Sequence, residues 1–438
     1  MAILSQEEAR KIIDKVLSYS KADEMKVELT GGRSGNIRFA RNSVSTAGAT
    51  NNLSLSVSSV FGKKTGTSDI NEFDDASLEK AVRRAEEMAR LAPENPEYVP
   101  MPGPQTYATS QAFADTTATI KAPDRAKLAG ASIKSIMASQ LSGAGFLEDS
   151  ANFNAIGNSK GLVGYHKSTN VNFSLTIRTP DGTGSGYAAG DFNDVSKLNT
   201  GALTDVAIQK AKASQKAVAL EPGKYTVILE PLAAGELVQF MINAMDARTA
   251  DEGRSFLSKK GGGTRLGEKI LDERVTIYSD PANAQIPSSP FSGEGYPHEK
   301  VTWFDKGVVK NMSYSPYWAQ QKGAKPVPQP SGFVMEGGTQ SLADLIKGTE
   351  KGILVTRFWY TRWLDPQTLL YTGLTRDGTF YIDKGQIKYP VKNFRFNESP
   401  VIMLNNLEAM GMPVRTRGNL VPPLRIRDFT FSSLSDAV

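Results

Sequence analysis

The sequence predicts an α+β protein in which two helix–antiparallel sheet–helix units precede a strand-rich C-terminal domain. In the first half of the chain, residues with helical periodicity flank two sets of alternating apolar and polar residues. A proline-rich tract separates these two sets, as expected for a connector between packed units. After residue 221, short alternating runs broken by Gly and Asp-Lys-Gly turns favour strands and hairpins.

The first unit, residues 1–92, begins with a capping-box sequence, Ser5-Gln6-Glu7-Glu8. Apolar residues then follow the helical period, which predicts a first helix over about 5–20. Three alternating runs predict antiparallel strands, with turns at Gly31-Gly32 and Gly62-Lys63-Lys64. A second helix is expected to begin at Asp75 or Ser77. Its predicted buried face consists of Leu78, Ala81, Val82, Ala85, Met88 and Ala89.

Residues 93–121 form the predicted linker, and the same order of elements returns in a central unit, 122–221. There the periodicity predicts a helix over 123–141, strands through 145–189 and a helix over 200–217. Both units also place a Thr-Gly turn before a Phe-Asx-Asp sequence that leads into a helix, at 65–75 and at 183–194. This repetition suggests a duplicated unit, although Thr-Gly turns and acidic helix starts are common enough to recur by chance.

The C-terminal domain, 222–438, is organised around a buried strand at 225–229 that runs into an unusually apolar helix, 232–246. Apolar residues cover two sides of this helix, so it is predicted to be buried. Only Glu236, Gln239 and Asn243 interrupt it.

Turn and strand signals divide the remainder of this domain. Asp305-Lys306-Gly307 and Asp383-Lys384-Gly385 predict two hairpins. The segment 265–281 is strand-like, and short helices are expected over 341–347 and 399–409.

Charge and cysteine usage exclude several classes of function. The 51 Lys and Arg against 46 Asp and Glu are spread along the chain, which indicates solvating charge and no nucleic-acid partner. Zero cysteine excludes disulfides, a thiol nucleophile and thiolate metal sites. The N-terminus lacks the apolar run of a signal peptide, and no apolar stretch is long enough for a membrane span. We therefore expect a cytoplasmic protein without a membrane partner.

The residues available for catalysis are few. His166 lies in a strand-like run and His298 in a loop, and neither has the neighbours of a catalytic triad or a metal site. Gly261, Gly262 and Gly263 precede a strand-like segment and not a helix, so they predict a flexible loop and not a phosphate site. Hydrolysis by carboxylates alone would need a proton-sharing pair. The candidates for such a pair are Glu230, Glu236, Asp246 and Glu294.

Aromatic residues cluster at 303–318 and again at 358–363. Such density usually indicates core packing, but rings that face a cleft would suit an extended peptide. The candidate cleft residues are Gln239, Asn243, Tyr314, Tyr317 and Trp318.

Five parts of the sequence resemble the TldD/PmbA family, which includes metallopeptidase subunits. They are the helix at 232–246, the segments 36–45 and 158–168, the Pro-Phe-x-x-Glu-Gly turn at 290–295 and the tail at 410–431. Zinc-bearing members carry His-Glu-x-x-x-His on this helix and a cysteine near the C-terminus. With Gly235 taken as the family's glycine at the helix entry, the histidine positions fall at Gln239 and Ala244, and the glutamate position falls at Phe240. Extra aromatic and arginine side chains at 358–378 depart from the family pattern.

The resemblance implies a chain with no catalytic residue, no metal ligand and no cofactor of its own. By family analogy it would be the zinc-free subunit of a heterodimeric metallopeptidase that acts on unfolded peptides or peptide precursors, with zinc held by a TldD-like partner. The alternatives are a standalone peptide-binding or regulatory homodimer, and a metal-independent hydrolase that uses the carboxylates named above.

Overall fold

The computed structural model describes residues 3–435. Its first half contains five α-helices, six strands and a short 3₁₀ turn. In chain order these are α1 (Gln6–Ser18), β1 (Glu24–Ala40), β2 (Ser43–Phe61), β3 (Lys64–Ile70), α2 (Asp75–Leu91), α3 (Asp115–Ala118), α4 (Ala122–Ala138), β4 (Ser142–Asn158), β5 (Val163–Arg178), β6 (Ser185–Phe192), the 3₁₀ turn Val195–Lys197 and α5 (Thr200–Ala213).

The two predicted units contribute three strands each to one six-stranded sheet, in the order β3-β2-β1-β4-β5-β6. Antiparallel pairing of β1 with β4 joins them. One hydrophobic core lies against α1 and α2, and a second lies against α4 and α5. The order helix, three strands, helix therefore occurs twice along the chain, and the six strands form one shared sheet, as the duplication hypothesis requires.

The predicted turn at Gly31-Gly32 is wrong, because β1 passes straight through both residues. A Cβ on Gly32 would lie 2.4 Å from the carbonyl oxygen of Ala151, and one on Gly31 would lie 2.8 Å from the side chain of Phe153. These glycines allow close packing inside the sheet. The turn at Gly62 is confirmed, with a φ of +62°.

Thr65-Gly66 is likewise part of a strand, β3, and not a turn. A Cβ on Gly66 would lie 2.2 Å from the backbone nitrogen of Ala89 in α2. Gly186 of β6 has the same relation to α5, since its Cβ would lie 2.1 Å from the carbonyl oxygen of Ala207. In both halves a glycine lets a helix approach the backbone of an outer strand.

The helices of the first unit follow their local signals. Ser5 caps α1 in a capping box with Glu8, as predicted, and Asp74 caps α2 one residue before the expected start. The prediction that Met88 lies on the buried face of α2 is wrong, because this residue is 46% exposed. Glu86 is buried instead, where it binds Arg83 at 2.8 Å and accepts from the backbone of Lys21.

The second half, as far as residue 435, contains five α-helices and thirteen strands. They are β7 (Gly223–Leu229), α6 (Pro231–Asn243), α7 (Ala247–Asp251), β8 (Ile277–Ser279), β9 (Val301–Asp305), β10 (Val308–Val309), α8 (Pro316–Lys322), β11 (Val334–Met335), α9 (Leu342–Lys347), β12 (Lys351–Asp365), β13 (Leu370–Asp383), β14 (Gln386–Pro390), β15 (Phe394–Glu398), α10 (Pro400–Asn405), β16 (Leu407–Met410), β17 (Val414–Thr416), β18 (Asn419–Val421) and β19 (Leu424–Leu434).

Two sheets organise this half, and the predicted strand-rich character is confirmed. One has the order β10-β9-β8-β11-β18-β17. The other has the order β12-β7-β19-β15-β13-β14, and an additional β12–β13 pairing closes it into a barrel-like arrangement. β7 is buried in this barrel between parallel β12 and antiparallel β19, so the helix that follows it leaves from the core.

Both predicted hairpins are present, because Lys306-Gly307 and Lys384-Gly385 adopt positive φ between paired strands. The predicted strand over 265–281 is reduced to β8, and most of the segment is loop. The helix predicted over 399–409 ends at Asn405, since Leu407 pairs with Ile426 as part of β16. No helix in residues 3–435 combines the length and apolarity that crossing a bilayer requires.

Candidate functional site

Helix α6 is positioned by the strand that precedes it. Glu230 follows β7 directly, and Pro231 occupies the first helical turn, where no backbone N–H is needed. The Glu230 carboxylate accepts bonds of 2.7 and 2.8 Å from Lys210 of α5 and one of 3.2 Å from Thr356 of β12. The start of α6 is therefore tied to both the N-terminal sheet and the barrel.

The two sides of α6 differ sharply. Leu237, Val238 and Met241 are buried in the main hydrophobic core. The polar residues that interrupt the apolar pattern lie on the other side, and three side-chain amides form a chain there. Asn419 of β18 donates to Gln239 Oε1 at 2.9 Å, and Gln239 donates to Asn243 Oδ1 at 2.8 Å. The buried Asn419 also accepts from the backbone N–H of Phe333 at 3.0 Å, which fixes its orientation.

A two-residue turn, Arg417-Gly418, brings a positive charge to the same side of α6. Both residues have positive φ, and Arg417 Nη1 lies 3.4 Å from Glu236 Oε2. The backbone N–H of Gly418 donates to Asp191 of β6 at 3.0 Å, and Arg415 pairs with the same carboxylate at 3.2 Å. This turn is therefore anchored to the N-terminal sheet.

The β12–β13 hairpin supplies an aromatic wall opposite. Phe240 of α6 stacks on Tyr371 with ring centroids 4.6 Å apart and an interplanar angle of 10°. The Trp359 ring lies within 4.9 Å of the Arg357 and Arg376 guanidinium carbons. Beyond it, Trp363 is 61% exposed. Burial raises the pKa of the Tyr371 phenol, which favours its neutral form.

Three adjoining cavities of about 420, 340 and 580 Å³ lie beside α6; the first is against β5 and β6 of the N-terminal sheet, and the other two are between the aromatic wall and the helix. The first two share Leu232, Thr416 and Arg417, and the last two share Phe240. We call the last two cavities, which lie along the helix, the α6 groove. It is lined by Leu232, Glu236, Gln239, Phe240, Asn243, Trp359, Tyr360, Trp363, Tyr371, Arg417 and Asn419.

Family models match all three parts of the chain. Residues 222–433 match the PmbA/TldA metallopeptidase C-terminal domain, 27–89 match domain 1 and 101–221 match the central domain. The chain belongs to the PmbA/TldD family.

Curated relatives within the PmbA/TldD family are named as metalloproteases. Metalloprotease PmbA of Escherichia coli O157:H7 is 25% identical over 161 residues, which is 35% of each chain. A metalloprotease of Methanothermobacter thermautotrophicus is 23% identical over 277 residues, which is 59% of this chain and 60% of the relative. The chain thus spans between a third and three fifths of the length of these relatives.

Solved structures share the PmbA/TldD fold over nearly the whole chain. TldE from Thermococcus kodakarensis has a TM-score of 0.88 at 17% identity, covering 98% of this chain and 100% of that one. A Bacteroides thetaiotaomicron protein described as a modulator of DNA gyrase has a TM-score of 0.85 at 23% identity, covering 97% and 98%. At these identities the likeness establishes the fold.

The side chains of Gln239 and Ala244, which the sequence predicts at the family's ligand positions, do not fit zinc. Zinc in proteins takes imidazole, thiolate or carboxylate ligands, whereas Gln239 carries an amide and Ala244 a methyl group. The neighbouring Asn243 and Asn419 also offer only amides, and within residues 3–435 no cluster of three or more His, Asp or Glu could hold a metal ion. No step of a reaction is therefore assigned to a metal in this chain.

The two histidines lie outside the α6 groove. His166 pairs across the sheet with Asn154, and burial lowers its pKa. His298 shares a hydrogen bond of 2.9 Å with the carbonyl oxygen of Ser289.

Of the candidate carboxylates, Glu236 and Asp246 line the α6 groove, whereas Glu230 and Glu294 do not. Glu230 binds Lys210, Glu236 binds Arg417, and Asp246 caps α7. Glu294 is exposed in a turn. Each of the first three already has a structural partner, which leaves little basis for a proton-sharing pair.

The predicted cleft residues lie in three places. Gln239 and Asn243 lie together in the α6 groove. Tyr314 lines a different cavity of about 860 Å³, and Tyr317 and Trp318 flank Arg248 of α7. Sequence reasoning missed Asn419, Arg417 and Tyr371 as groove residues. Arg417-Gly418 could have been predicted as a turn, but no feature of the nearby sequence indicates that this turn contacts α6.

Proposed function

We propose that this chain is the zinc-free subunit of a PmbA/TldD-type heterodimeric metallopeptidase that acts on unfolded peptides or peptide precursors in the cytoplasm. The observation that carries the proposal is the chain of amides from Asn419 through Gln239 to Asn243. It includes Gln239, one of the two positions at which the family resemblance implies a zinc ligand in zinc-bearing members. The names of the curated relatives, metalloprotease in each case cited, support the assignment to proteolysis.

The α6 groove suits a peptide in extended conformation. With thirteen residues, α6 is roughly 20 Å long at about 1.5 Å per residue. An extended chain advances about 3.3 Å per residue, so the groove accommodates roughly six residues. Amides at Gln239 and Asn243 can bind peptide backbone groups, and the exposed rings of Trp359, Tyr360 and Trp363 can contact side chains.

In the proposed complex this chain binds and orients substrate, and the zinc-bearing subunit supplies hydrolysis. Zinc bound there would supply Lewis-acid polarisation of the scissile amide and activation of water. The residues of this chain make no bond to the metal.

Reconstitution tests the proposal. The chain would be purified alone and together with a zinc-bearing homologue, and both samples assayed for bound zinc and for cleavage of an unfolded peptide. We expect zinc and chelator-sensitive cleavage only in the mixed sample, with the two chains copurifying. Stoichiometric zinc together with cleavage in the isolated chain would contradict the proposal.

A peptide-binding protein without hydrolytic activity is the second candidate, favoured by the side-chain amides and exposed aromatic rings that line the α6 groove. It predicts that the isolated chain binds unfolded peptides, that no zinc-bearing homologue copurifies, and that adding one leaves cleavage absent.

A further inference from the structure

One end of the α6 groove is a cavity of about 580 Å³ with aromatic walls. The stacked rings of Phe240 and Tyr371 line it, together with the buried Leu369. The exposed ring of Trp363 lines the same cavity. Walls of this kind suit the hydrocarbon part of a peptide side chain. We call this cavity the Trp363 pocket.

Three charged side chains line the Trp363 pocket, and only one of them is positive. They are Asp246, Arg254 and Asp365. Arg254 is already bound by a carboxylate, since its Nε lies 3.0 Å from Glu252 Oε2. The charge of Arg254 is thus balanced by its neighbour, and the two aspartates set the charge that the pocket presents to a ligand.

The printed partners of the two aspartates are all neutral hydrogen-bond donors. Asp246 Oδ1 accepts from the backbone N–H of Thr249 at 2.8 Å. Asp365 Oδ2 accepts from the hydroxyl of Thr368 and, at 2.9 Å, from its N–H, and these bonds lower the pKa of the Asp365 carboxyl. A carboxylate has about four acceptor positions, so each aspartate retains capacity for a further donor. The pocket therefore carries negative charge that no basic side chain of residues 3–435 pairs with.

The other end of the α6 groove has a different balance of charge. There Glu236 lies 3.4 Å from Arg417, so opposite charges are paired. A cationic group in the groove is therefore attracted to the Trp363 pocket more than to this end. Lysine and arginine combine a hydrocarbon stem with a cationic head, which matches aromatic walls bordered by carboxylates.

We propose that the Trp363 pocket is a specificity pocket for a lysine or arginine side chain of the bound peptide. The stem of that side chain packs against Phe240 and Tyr371, and its cationic head binds Asp246 or Asp365 and contacts the Trp363 ring. This inference rests on the proposed function, because it requires a peptide in the α6 groove. It adds a substrate class, namely unfolded peptides with a basic residue beside the C-terminal end of α6.

A set of labelled peptides tests the pocket with the full chain. Each is the same short, unfolded peptide of Gly, Ser and Ala except at one central position, which holds lysine, arginine, norleucine, citrulline or glutamate. Norleucine and citrulline retain the stems of lysine and arginine without their charge. In fluorescence anisotropy, the lysine and arginine peptides should bind at least about fivefold more tightly than their neutral counterparts. The glutamate peptide should bind most weakly.

Substitutions of the two aspartates locate the preference. Asp246→Asn and Asp365→Asn remove a charge each but keep an acceptor for Thr249 and Thr368. Each should reduce the preference for lysine over norleucine, and the double variant should abolish it. Asp14→Asn, on α1 outside the groove, is the matched control and should leave the preference unchanged. If the double variant fails to fold, Asp365→Asn serves alone, because Asp365 is the last residue of β12.

The outcomes separate this inference from the proposed function. Equal binding of all the peptides, tighter binding of norleucine or glutamate, or a lysine preference that survives both aspartate substitutions would overturn the inference and leave the subunit role standing. A lysine preference in a chain that gives no zinc-dependent cleavage with its zinc-bearing homologue would support the pocket and contradict the proposed function. Absence of binding to every peptide would overturn the pocket and the peptide-binding role together.

Discussion

Asn419 Nδ2 lies 2.9 Å from Gln239 Oε1, so a side chain near the C-terminus sets the orientation of an amide on the central helix of the groove. The two residues are 180 positions apart in the chain. Asn419 is buried, whereas Asn243 at the other end of the amide chain is exposed. The amide chain therefore runs from the core to the groove surface, and its rigidity comes from the core end.

Removal of the buried end of this chain should destabilise the protein. Asn419→Ala leaves the Phe333 N–H and the Gln239 carbonyl without their partner, which should cost about 1–3 kcal/mol of unfolding free energy. The exposed Asn243→Ala is the control and should change stability by less than about 0.5 kcal/mol. Urea unfolding measures the loss of unfolding free energy for each variant. Equal losses would show that the hydrogen bonds of Asn419 add no stability.

The buried ion pair behind the aromatic wall should be more costly to break. Arg357 Nε donates to Asp377 at 2.7 Å, and the Asp377 side chain is fully buried. Asp377→Ala leaves an uncompensated charge, so we expect a loss of about 3–5 kcal/mol. Asp14→Ala, which breaks the exposed Arg10–Asp14 pair, should cost about 0.5 kcal/mol or less. A small effect at Asp377 in chemical denaturation would show that water reaches this pair.

Glu398 should make stability depend on pH. Burial raises the pKa of its carboxyl from 4.5 to about 7, against the opposing effect of N–H groups from Ser399 and Thr430. The folded state therefore binds this proton more tightly than the unfolded state. The stabilising contribution of Glu398 to the free energy of unfolding is complete below pH 4.5 and is lost as the pH rises through about 7. The free energy of unfolding should fall by about 3 kcal/mol over this range.

Glu398→Gln should remove that pH dependence, because a neutral side chain of the same shape cannot ionise. The free energy of unfolding, measured by heat or urea between pH 4 and pH 8, should vary less with pH in the variant than in the wild type. Glu273→Gln, at a side chain that is 77% exposed, should leave the wild-type profile unchanged. A wild-type profile that rises from pH 4.5 to 7 would refute the assigned direction.

Trp363 should contribute to peptide binding and little to stability. Its exposed ring lines the end of the α6 groove, so Trp363→Ala should weaken binding of an unfolded peptide about tenfold, or roughly 1.4 kcal/mol. Unfolding free energy should change by less than about 0.5 kcal/mol. Leu91→Ala, an exposed apolar residue on α2, should alter neither quantity. Fluorescence anisotropy of a labelled peptide distinguishes these outcomes.

The repeated helix–sheet–helix units should respond alike to one substitution. Gly66→Ala and Gly186→Ala each place a Cβ within about 2.2 Å of helix backbone, so each should destabilise by at least about 1–3 kcal/mol. Gly130→Ala, within α4 where a Cβ meets open space, should be neutral or stabilising. Thermal unfolding compares the stabilities of the three variants. An unchanged stability for Gly66→Ala or Gly186→Ala would show that the two glycines are not packed alike against their helices.

Sequence reasoning succeeded where the controlling forces are local. The capping box at Ser5 and the turns at Lys306-Gly307 and Lys384-Gly385 depend on residues within a few positions of one another, and all are present. It failed at Gly31-Gly32, since those glycines relieve contacts with Phe153 and Ala151, more than a hundred residues away. A glycine required by packing and a glycine required by a turn look identical in one sequence.

The sequence alone determined the α+β class and the apolar helix after a buried strand, and it places the amides of Gln239 and Asn243 on that helix. Composition and short-range periodicity encode these features directly. Only the tertiary structure decided that Asn419, Arg417 and Tyr371 meet α6, and that Tyr314 lies elsewhere. Strand pairing and barrel closure bring residues together across long stretches of chain, and the partner of each strand is chosen by the packing of the whole core, which no local pattern contains.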